Sequence, residues 1–377
     1  MTDQAIVLIP ERVRNSDAVA GQWKLIWRRF RRHRLALGAG VVILLIYLVA
    51  LFAEVIAPVS SQTYDSRYTY VPPQRLKVAG YDTTGQFHLL YVNGYSMKVD
   101  PIALSRTYVP DPAVVIPVGF FVKGEPYRFW GLFDFDRHLI GPVETGKPFY
   151  LFGADRLGRD VFSRTVHGTR VSMSVGLIGV AISLVLGIIL GGISGLYGGW
   201  VDDIIQRSIE LINSIPTIPL WMGLAAAVPI SADPILVYLW ITIILSLIGW
   251  TDLARVVRGR FLSLKTEDFV IAAHLDGCSR MRIIWRHMVP SFMSHIIASV
   301  TLAIPTMILA ETALSFLGIG LRPPVVSWGV LLQEAQNILA VSSAPWLFLP
   351  GLAVIVTVLA LNFLGDGLRD AADPYEY

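Results

Sequence analysis

The stretch IAAHLDGCSRMRIIWRHMVP, residues 271–290, sets Asp276-Gly277 between a small apolar segment and a run carrying Arg280, Arg282, Arg286 and His287. Asp-Gly is a turn signal, and Ser279 just behind it is a residue type that caps helices by accepting a backbone N–H. The spacing predicts a helical hairpin whose second helix covers about 280–289. Arg282 and Arg286, four apart, share one face of that helix, and Ile283, Ile284 and Trp285 offer apolar surface. Two uses fit these residue types: seating in a groove of another protein, or lying on lipid headgroups.

Working outward, the hairpin lies between two apolar runs. Of the 377 residues 54% are apolar and 16% charged, and the mean hydropathy is +0.58, well outside an ordinary soluble domain. Runs of about 20 apolar residues, enough to cross a hydrocarbon core of roughly 30 Å as helix, occur near 35–57, 171–197, 204–229, 235–254, 292–318 and 346–365. The expected fold is an all-α polytopic membrane protein with six transmembrane helices. The net charge of +3 is too small to indicate a nucleic-acid partner. Cys278 is the sole cysteine, which excludes an internal disulfide and a cysteine-based metal cluster.

Lys24, Arg28, Arg29, Arg31, Arg32 and Arg34 stand immediately before the first run, which places its start on the cytoplasmic side and favours contact with anionic lipid. No small-residue cleavage pattern follows, so the run reads as a retained anchor. Six spans return the C-terminus to the cytoplasm. They also place there the basic loop 255–290, with Arg255, Arg258, Arg260, Lys265, Arg280, Arg282 and Arg286. The expected division is a cytoplasmic segment 1–34, a first span 35–57, an extracytoplasmic insert and interfacial helix 58–165, a core 166–365 containing the loop 255–290, and a cytoplasmic tail 366–377. Within the insert FHLLYV (87–92), AVVIPVGFFV (113–122) and YRFWGLF (127–133) read as strands between Gly, Pro and Asp signals, predicting a small β-rich appendage. GPVETGKP (141–148) approaches a phosphate-binding loop, but Pro148 replaces the metal-binding hydroxyl and Pro142 removes a backbone donor. It is read as a plain turn.

DFVIAAHLDGCSRMRIIWRHMVP (268–290) resembles the cytoplasmic loop of ABC-importer permeases, with Ala272, Ala273, Gly277 and Pro290 at matching positions and Ile271 where that family most often has Glu. FGADRLGRDVFSRTVHGTRVSMSVG (152–176), ETALSFLGIGLRPPVVSWG (311–329) and LNFLGDGLRDAADP (361–374) resemble the C-type subunits of its dipeptide and oligopeptide branch. Ala154 and Ala372 depart from that branch's usual Thr and apolar residue. The resemblance covers about 250 residues, and least of it falls in 60–150. It implies an ABC importer type I permease fold and a hairpin that docks on a separate ATPase through Ala272, Ala273, Gly277, Arg282, Arg286 and Pro290. It also implies a sibling permease in a heterodimer, two cytoplasmic ATPase subunits or domains that hold ATP and Mg, an extracytoplasmic solute-binding protein and a bacterial inner membrane. No cofactor, metal or catalytic residue is expected in this chain.

Gly179, Ser183, Gly187, Gly191, Gly195 and Gly199 recur every four residues, a smooth stripe for close helix packing within this subunit or against another. Pro216, Pro219 and Pro305 interrupt the third and fifth apolar runs, as a rocking pathway helix or a static kink would require. Glu210, Asn213 and Glu311 are the polar groups that lipid contact explains least, and with the three prolines they are the candidates for a translocation path. Arg207 offers Glu210 a partner one turn away, and Glu311 has none nearby. In GADRLGRDVFSR (153–164) Asp155 and Arg159, and Arg156 and Asp160, are spaced by four, which predicts an ion-paired interfacial helix with Arg164 at its end. A peptide-importer subunit accounts for the docking hairpin. A self-sufficient secondary transporter is the alternative, but it would show repeated halves and ion-coupling residues at the midplane, and a membrane enzyme would need a clustered acid–base or metal site.

Overall fold

The computed structural model describes residues 22–81, 85–99, 106–229 and 233–372. Residues 1–21 of the N-terminal segment and 373–377 of the tail, including Pro374, lie outside the described residues. The chain enters through an amphipathic helix, α1 (Gln22–Phe30). The first apolar helix, α2 (Arg34–Leu51), is capped by His33, whose Nδ1 accepts from the Ala36 N–H at 3.1 Å. It stops before the expected 57: Phe52 leaves the helix and a single further turn, α3 (Ala53–Ile56), follows.

The appendage is a four-stranded antiparallel sheet in sequential order: β1 (Lys77–Tyr81), β2 (Phe87–Val99), β3 (Arg106–Phe129) and β4 (Phe133–Pro142). β3 serves two neighbours in turn, pairing with β2 through Pro117 and with β4 from Val118 onward. The run 113–122 therefore lies inside a longer strand and spans its change of partner. YRFWGLF is not one strand. It ends β3, turns at Trp130 (φ 51°) and Gly131 (φ 70°), and starts β4 at Phe133. Left-handed backbone at two successive positions is the geometry of a tight hairpin reversal. The sheet's own core is small, formed by Val92, Ile116 and Val118 with Phe149.

The chain re-enters the helical body through α4 (Val161–Tyr197), which begins ten residues before the expected 171 because Asp160 caps it, accepting from the Phe162 and Ser163 N–H groups. The apolar run 204–229 does not form one straight helix. It divides into α5 (Gly199–Ser214) and α6 (Thr217–Ala226), bent by 89°. The cause is local: Ile215 precedes a proline and is held extended, and Pro216 sits at the cap of the next helix. α7 (Pro234–Leu264) starts on an Asp233 cap with proline in its first turn. Next come α8 (Asp268–Leu275), α9 (Arg280–Ile283), one π turn over Ile284–Met288, α10 (Val289–Ser291) and α11 (Met293–Phe316). α11 continues through Pro305 without a break, contrary to the expected interruption. α12 (Trp328–Gln333), α13 (Ile338–Ser343) and α14 (Leu349–Ala372) complete the chain.

Among the described residues five helices qualify by length and apolarity to cross a membrane, and a sixth crossing exists if the bent α5–α6 pair counts as one. The core of the body gathers Met173, Val175 and Val180 of α4, Ile241 and Leu245 of α7, Met307 and Ile308 of α11, and Trp328 of α12. The small-residue stripe resolves into packing within the chain. A Cβ at Gly191 would lie 2.4 Å from the Ala254 carbonyl oxygen of α7, and one at Gly195 2.7 Å from Phe261 Cβ. Small side chains let α4 and α7 touch backbone to backbone. At its far end Gly199 meets nothing within 4 Å.

Candidate functional site

The hairpin forms as its residue types predict. α8 closes on Asp276 and Gly277, whose φ of 73° supplies the left-handed turn, and the Cys278 N–H returns to the Ala273 carbonyl at 3.1 Å. Ser279 caps α9 by accepting from the Arg282 N–H at 3.4 Å. The second arm is not a plain α-helix, because it widens into the π turn at Ile284–Met288. Pro290 explains the widening: in a regular helix its ring would collide with the Arg286 carbonyl.

The hairpin is built onto the body rather than hung from it. Ala273, Ile283, Ile284 and Met288 are buried with Val257 and Phe261 of α7 and Ile188 of α4. This corrects the expectation for Ala273, Ile283 and Ile284, which face the chain's own core and offer nothing to a partner. The surface left open consists of Ile271, Leu275, Met281 and Trp285, with Ala272, Arg282, Arg286 and Pro290 also exposed. Arg280 lies over the Tyr197 ring at 4.2 Å, pinning the turn to the end of α4. Ile271, which replaces a carboxylate in the resembling family, thus contributes to an exposed apolar ridge.

The six candidates for a translocation path are not brought to one place. Glu210 pairs with Arg207 at 2.7 Å on the exposed side of α5. Asn213 accepts from Thr251 Oγ1 of α7 at 3.3 Å, Pro216 forms the bend, and Pro219 lies in the first turn of α6. Pro305 and Glu311 stand on α11. Glu311 has partners after all. It is fully buried and accepts from the hydroxyls of Ser172 (3.3 Å), Ser315 (2.8 Å) and Ser327 (2.7 Å). Each serine oxygen also accepts a backbone N–H, from Trp328, Leu321 and Val330 respectively. The carboxylate is the node of a closed network joining α4, α11 and the cap of α12, a structural role in place of a path-lining one. Of its three partners only Ser315, one turn along the same helix, was within reach of sequence spacing.

The segment 153–164 is likewise not an interfacial helix. Asp155 collects four donors: the backbone N–H of Leu157 (2.9 Å) and Arg159 (3.0 Å), Arg159 Nε (2.6 Å) and the Arg164 guanidinium (3.0 Å). Arg156 does not pair with Asp160. Its backbone N–H donates to Glu334 at 2.7 Å, while Asp160 caps α4. Burial pushes the Asp160 carboxyl up to about 6 against the pull of the Ser163 and Phe162 donors. Burial, followed by the negative charge of Asp155, also raises Glu334. Tyr70 beside it is pushed up to about 12, by burial first and then by Glu334. Tyr70, Asp155, Arg159, Arg164 and Glu334 line a cleft of about 470 Å³ between the loop and α12.

Long apolar helices around a buried polar node, with a built hairpin exposed on one face, define a polytopic membrane protein. Residues 183–375 match the family described as binding-protein-dependent transport system inner membrane component. Residues 21–73 match the N-terminal TM domain of oligopeptide transport permease C. The sheet β1–β4 falls between the two matches. The chain is 37% identical over 238 residues to the oligopeptide transport system permease protein OppC of Bacillus subtilis, covering 63% of this chain and 75% of that one. It is 39% identical over 225 residues to the dipeptide transport system permease protein DppC of the same organism, covering 59% and 68%. With OppC of Haemophilus influenzae it shares 38% over 242 residues, covering 64% and 75%. A solved structure of the MetNI methionine ABC transporter in an inward-facing conformation aligns with a TM-score of 0.44 at 15% identity, over 56% of this chain and 97% of that one. The chain belongs to the family of binding-protein-dependent transport system inner membrane components, as a multi-pass membrane subunit of a transport system.

Proposed function

We propose that this chain is the membrane-spanning subunit of an ATP-driven importer of peptides or peptide-like solutes, and that the 268–290 hairpin receives the force of a separate ATPase. One observation carries the assignment of that role: a hairpin rooted in the chain's own core leaves Ile271, Leu275, Met281, Trp285, Arg282 and Arg286 exposed. An apolar ridge with two arginines at its flank suits a protein groove. ATP and Mg belong to the partner ATPase subunits, and ATP hydrolysis takes place there. A sibling permease completes the pathway and a solute-binding protein delivers cargo on the opposite side. The bent α5–α6 pair serves as the third of six spans, its 89° break giving the pathway a joint, with Glu210, Asn213, Pro216 and Pro219 at or near it. Both termini and the hairpin face the cytoplasm. The names of the OppC and DppC relatives support a peptide cargo. A self-sufficient secondary transporter is less well supported, because such a protein has no use for the hairpin.

The test is Gly277→Val. The glycine holds a φ of 73° with nothing within 4 Å of a built Cβ, so the substitution strains the turn without crowding the core, at a cost of roughly 1–3 kcal/mol. The variant is expected to insert and pair with its sibling permease but to lose copurifying ATPase and to uncouple hydrolysis from transport. Normal ATPase stoichiometry with normal transport refutes docking at 268–290.

A further inference from the structure

The turn between β3 and β4 is more apolar than a water-facing loop requires. Cross-strand pairs set Tyr127 opposite Phe135 and Phe129 opposite Phe133 on one face of the ribbon, with the Arg128–Asp134 ion pair (3.0 Å) on the other. Leu132 at the tip is 74% exposed, Phe133 61% and Phe135 55%, with Trp130 beside them also open.

The height of this tip is fixed by its contacts. Trp130 Nε1 donates to the carbonyl of Leu51, the last residue of the apolar helix α2, at 3.1 Å. Phe129 stacks on Phe52 with ring centroids 5.9 Å apart. The Arg170 guanidinium lies 4.3 Å from the Trp130 ring centroid while donating to both Glu54 oxygens and to the Ala50 and Leu51 carbonyls. The tip thus stands level with the end of an 18-residue apolar helix. Leu44, Leu45, Leu48 and Leu51 of that helix are themselves exposed, as an apolar span facing lipid would be. A tryptophan, an arginine and a carboxylate gathered at the end of an apolar span are the chemistry of the membrane interface, where amphipathic rings settle among headgroups.

We infer that the β3–β4 hairpin inserts its tip into the lipid headgroup and upper acyl region of the leaflet opposite the 268–290 hairpin. Leu132 and Phe133 point into lipid, and the exposed Arg128–Asp134 pair stops deeper entry, leaving Phe135 at the headgroup level. The appendage is then held by the bilayer as well as by Arg170 and Glu54. The inference is independent of what is transported and in which direction.

Spin labelling tests it on the full chain, reconstituted in lipid nanodiscs with the subunits that copurify. In a Cys278→Ser background, Leu132→Cys and Phe133→Cys carry a nitroxide at the tip. Met97→Cys is the reference: Met97 pairs with Tyr108, whose hydroxyl donates to the Arg67 carbonyl, beside Asp65, which is tied to Gly158 beyond the start of α4. Since α4 rises about 1.5 Å per residue from Arg170 back to Val161, the contacts that tie this reference to the start of α4 put it roughly 14 Å above the tip's level. These side chains are exposed, so the labels displace no core contact. Oxygen is expected to relax the labels at 132 and 133 more than a water-soluble nickel chelate does, at a depth of about 5–10 Å below the phosphates, with the order reversed at 97. Equal chelate access at all three positions places the tip in water and overturns the inference. Exclusion of both reagents from 132 and 133 overturns it too, by showing that a protein surface covers the tip.

Discussion

At the scale of single residues, Glu311 shows how an ionisable group inside a span can be structural. A lone carboxylate among apolar residues reads as a pathway group, because its cost in hydrocarbon demands a use. The use here is to accept three serine hydroxyls that in turn hold three backbone N–H groups. Glu311→Ala strands those hydroxyls in a closed interior, and each buried donor left without an acceptor costs about 1–3 kcal/mol. The purified variant is expected to melt at a clearly lower temperature, while Glu311→Gln, which keeps a carbonyl acceptor, loses less. Transport lost by Glu311→Gln at unchanged melting temperature would return the residue to the pathway. Ser172 and Ser327 could not be paired with Glu311 from sequence, since hydrogen bonds across 139 and 16 residues obey no local period. Asp155 was legible only in part. Its spacing to Arg159 gave one true pair, but the four-residue rule supposed a helix where the backbone N–H groups of Leu157 and Arg159 fold around the carboxylate instead.

Among elements, the helix pair α4–α7 depends on absent side chains. Gly191 faces a backbone carbonyl that cannot swing aside, so Gly191→Ala is expected to push α7 away and destabilise the fold by about 1–3 kcal/mol. Gly223→Ala on α6, where a Cβ meets nothing within 4 Å, provides the control and should leave the melting temperature unchanged. If both variants melt alike, Gly191 is no close-packing site. The four-residue stripe showed that some helix must approach here; that α7 does so follows only from the folded chain. Pro216 and Pro305 show the limit of local signals. Both were marked as breaks, but α11 absorbs Pro305 within a packed core, whereas Pro216 follows an extended Ile215 and divides its run. The hairpin was the best-read element, because Gly277 and Ser279 act within one turn of themselves. Its π turn and the burial of Ile283 and Ile284 depend on α7 and were not visible locally.

For the whole molecule the proposed topology makes a two-sided prediction. Tyr64→Cys, at an exposed position on the insert's side, is expected to react with a membrane-impermeant maleimide in sealed cells. Native Cys278, on the hairpin, should react only after the membrane is opened. Reversed labelling overturns the orientation. The membrane class was plain from hydropathy, while the six apolar runs fold as five long helices and one bent pair, and the order of the four strands follows the chain. The missing information was the height of each part relative to the others, which the Asp155 clasp, the Arg170–Glu54 pair and the Glu311 network set through contacts between distant residues.

α4 contains 37 residues, a length of about 55 Å at 1.5 Å per residue, against a hydrocarbon slab of roughly 30 Å. It is therefore a mast that projects from the bilayer. The cap at Asp160 and the arginine clasp of Asp155 are lashed to its upper end, while Gly191 and Gly195 seat its lower end on the helix that leads into the 268–290 hairpin. A rigid rod of that length turns a tilt of about 5° into a sweep of roughly 5 Å at the far end. A displacement of the hairpin that rotates α7 and α4 together is therefore expected to shift the α4 side of the cleft beside Glu334 by a few Å, about the sweep of the rod's end.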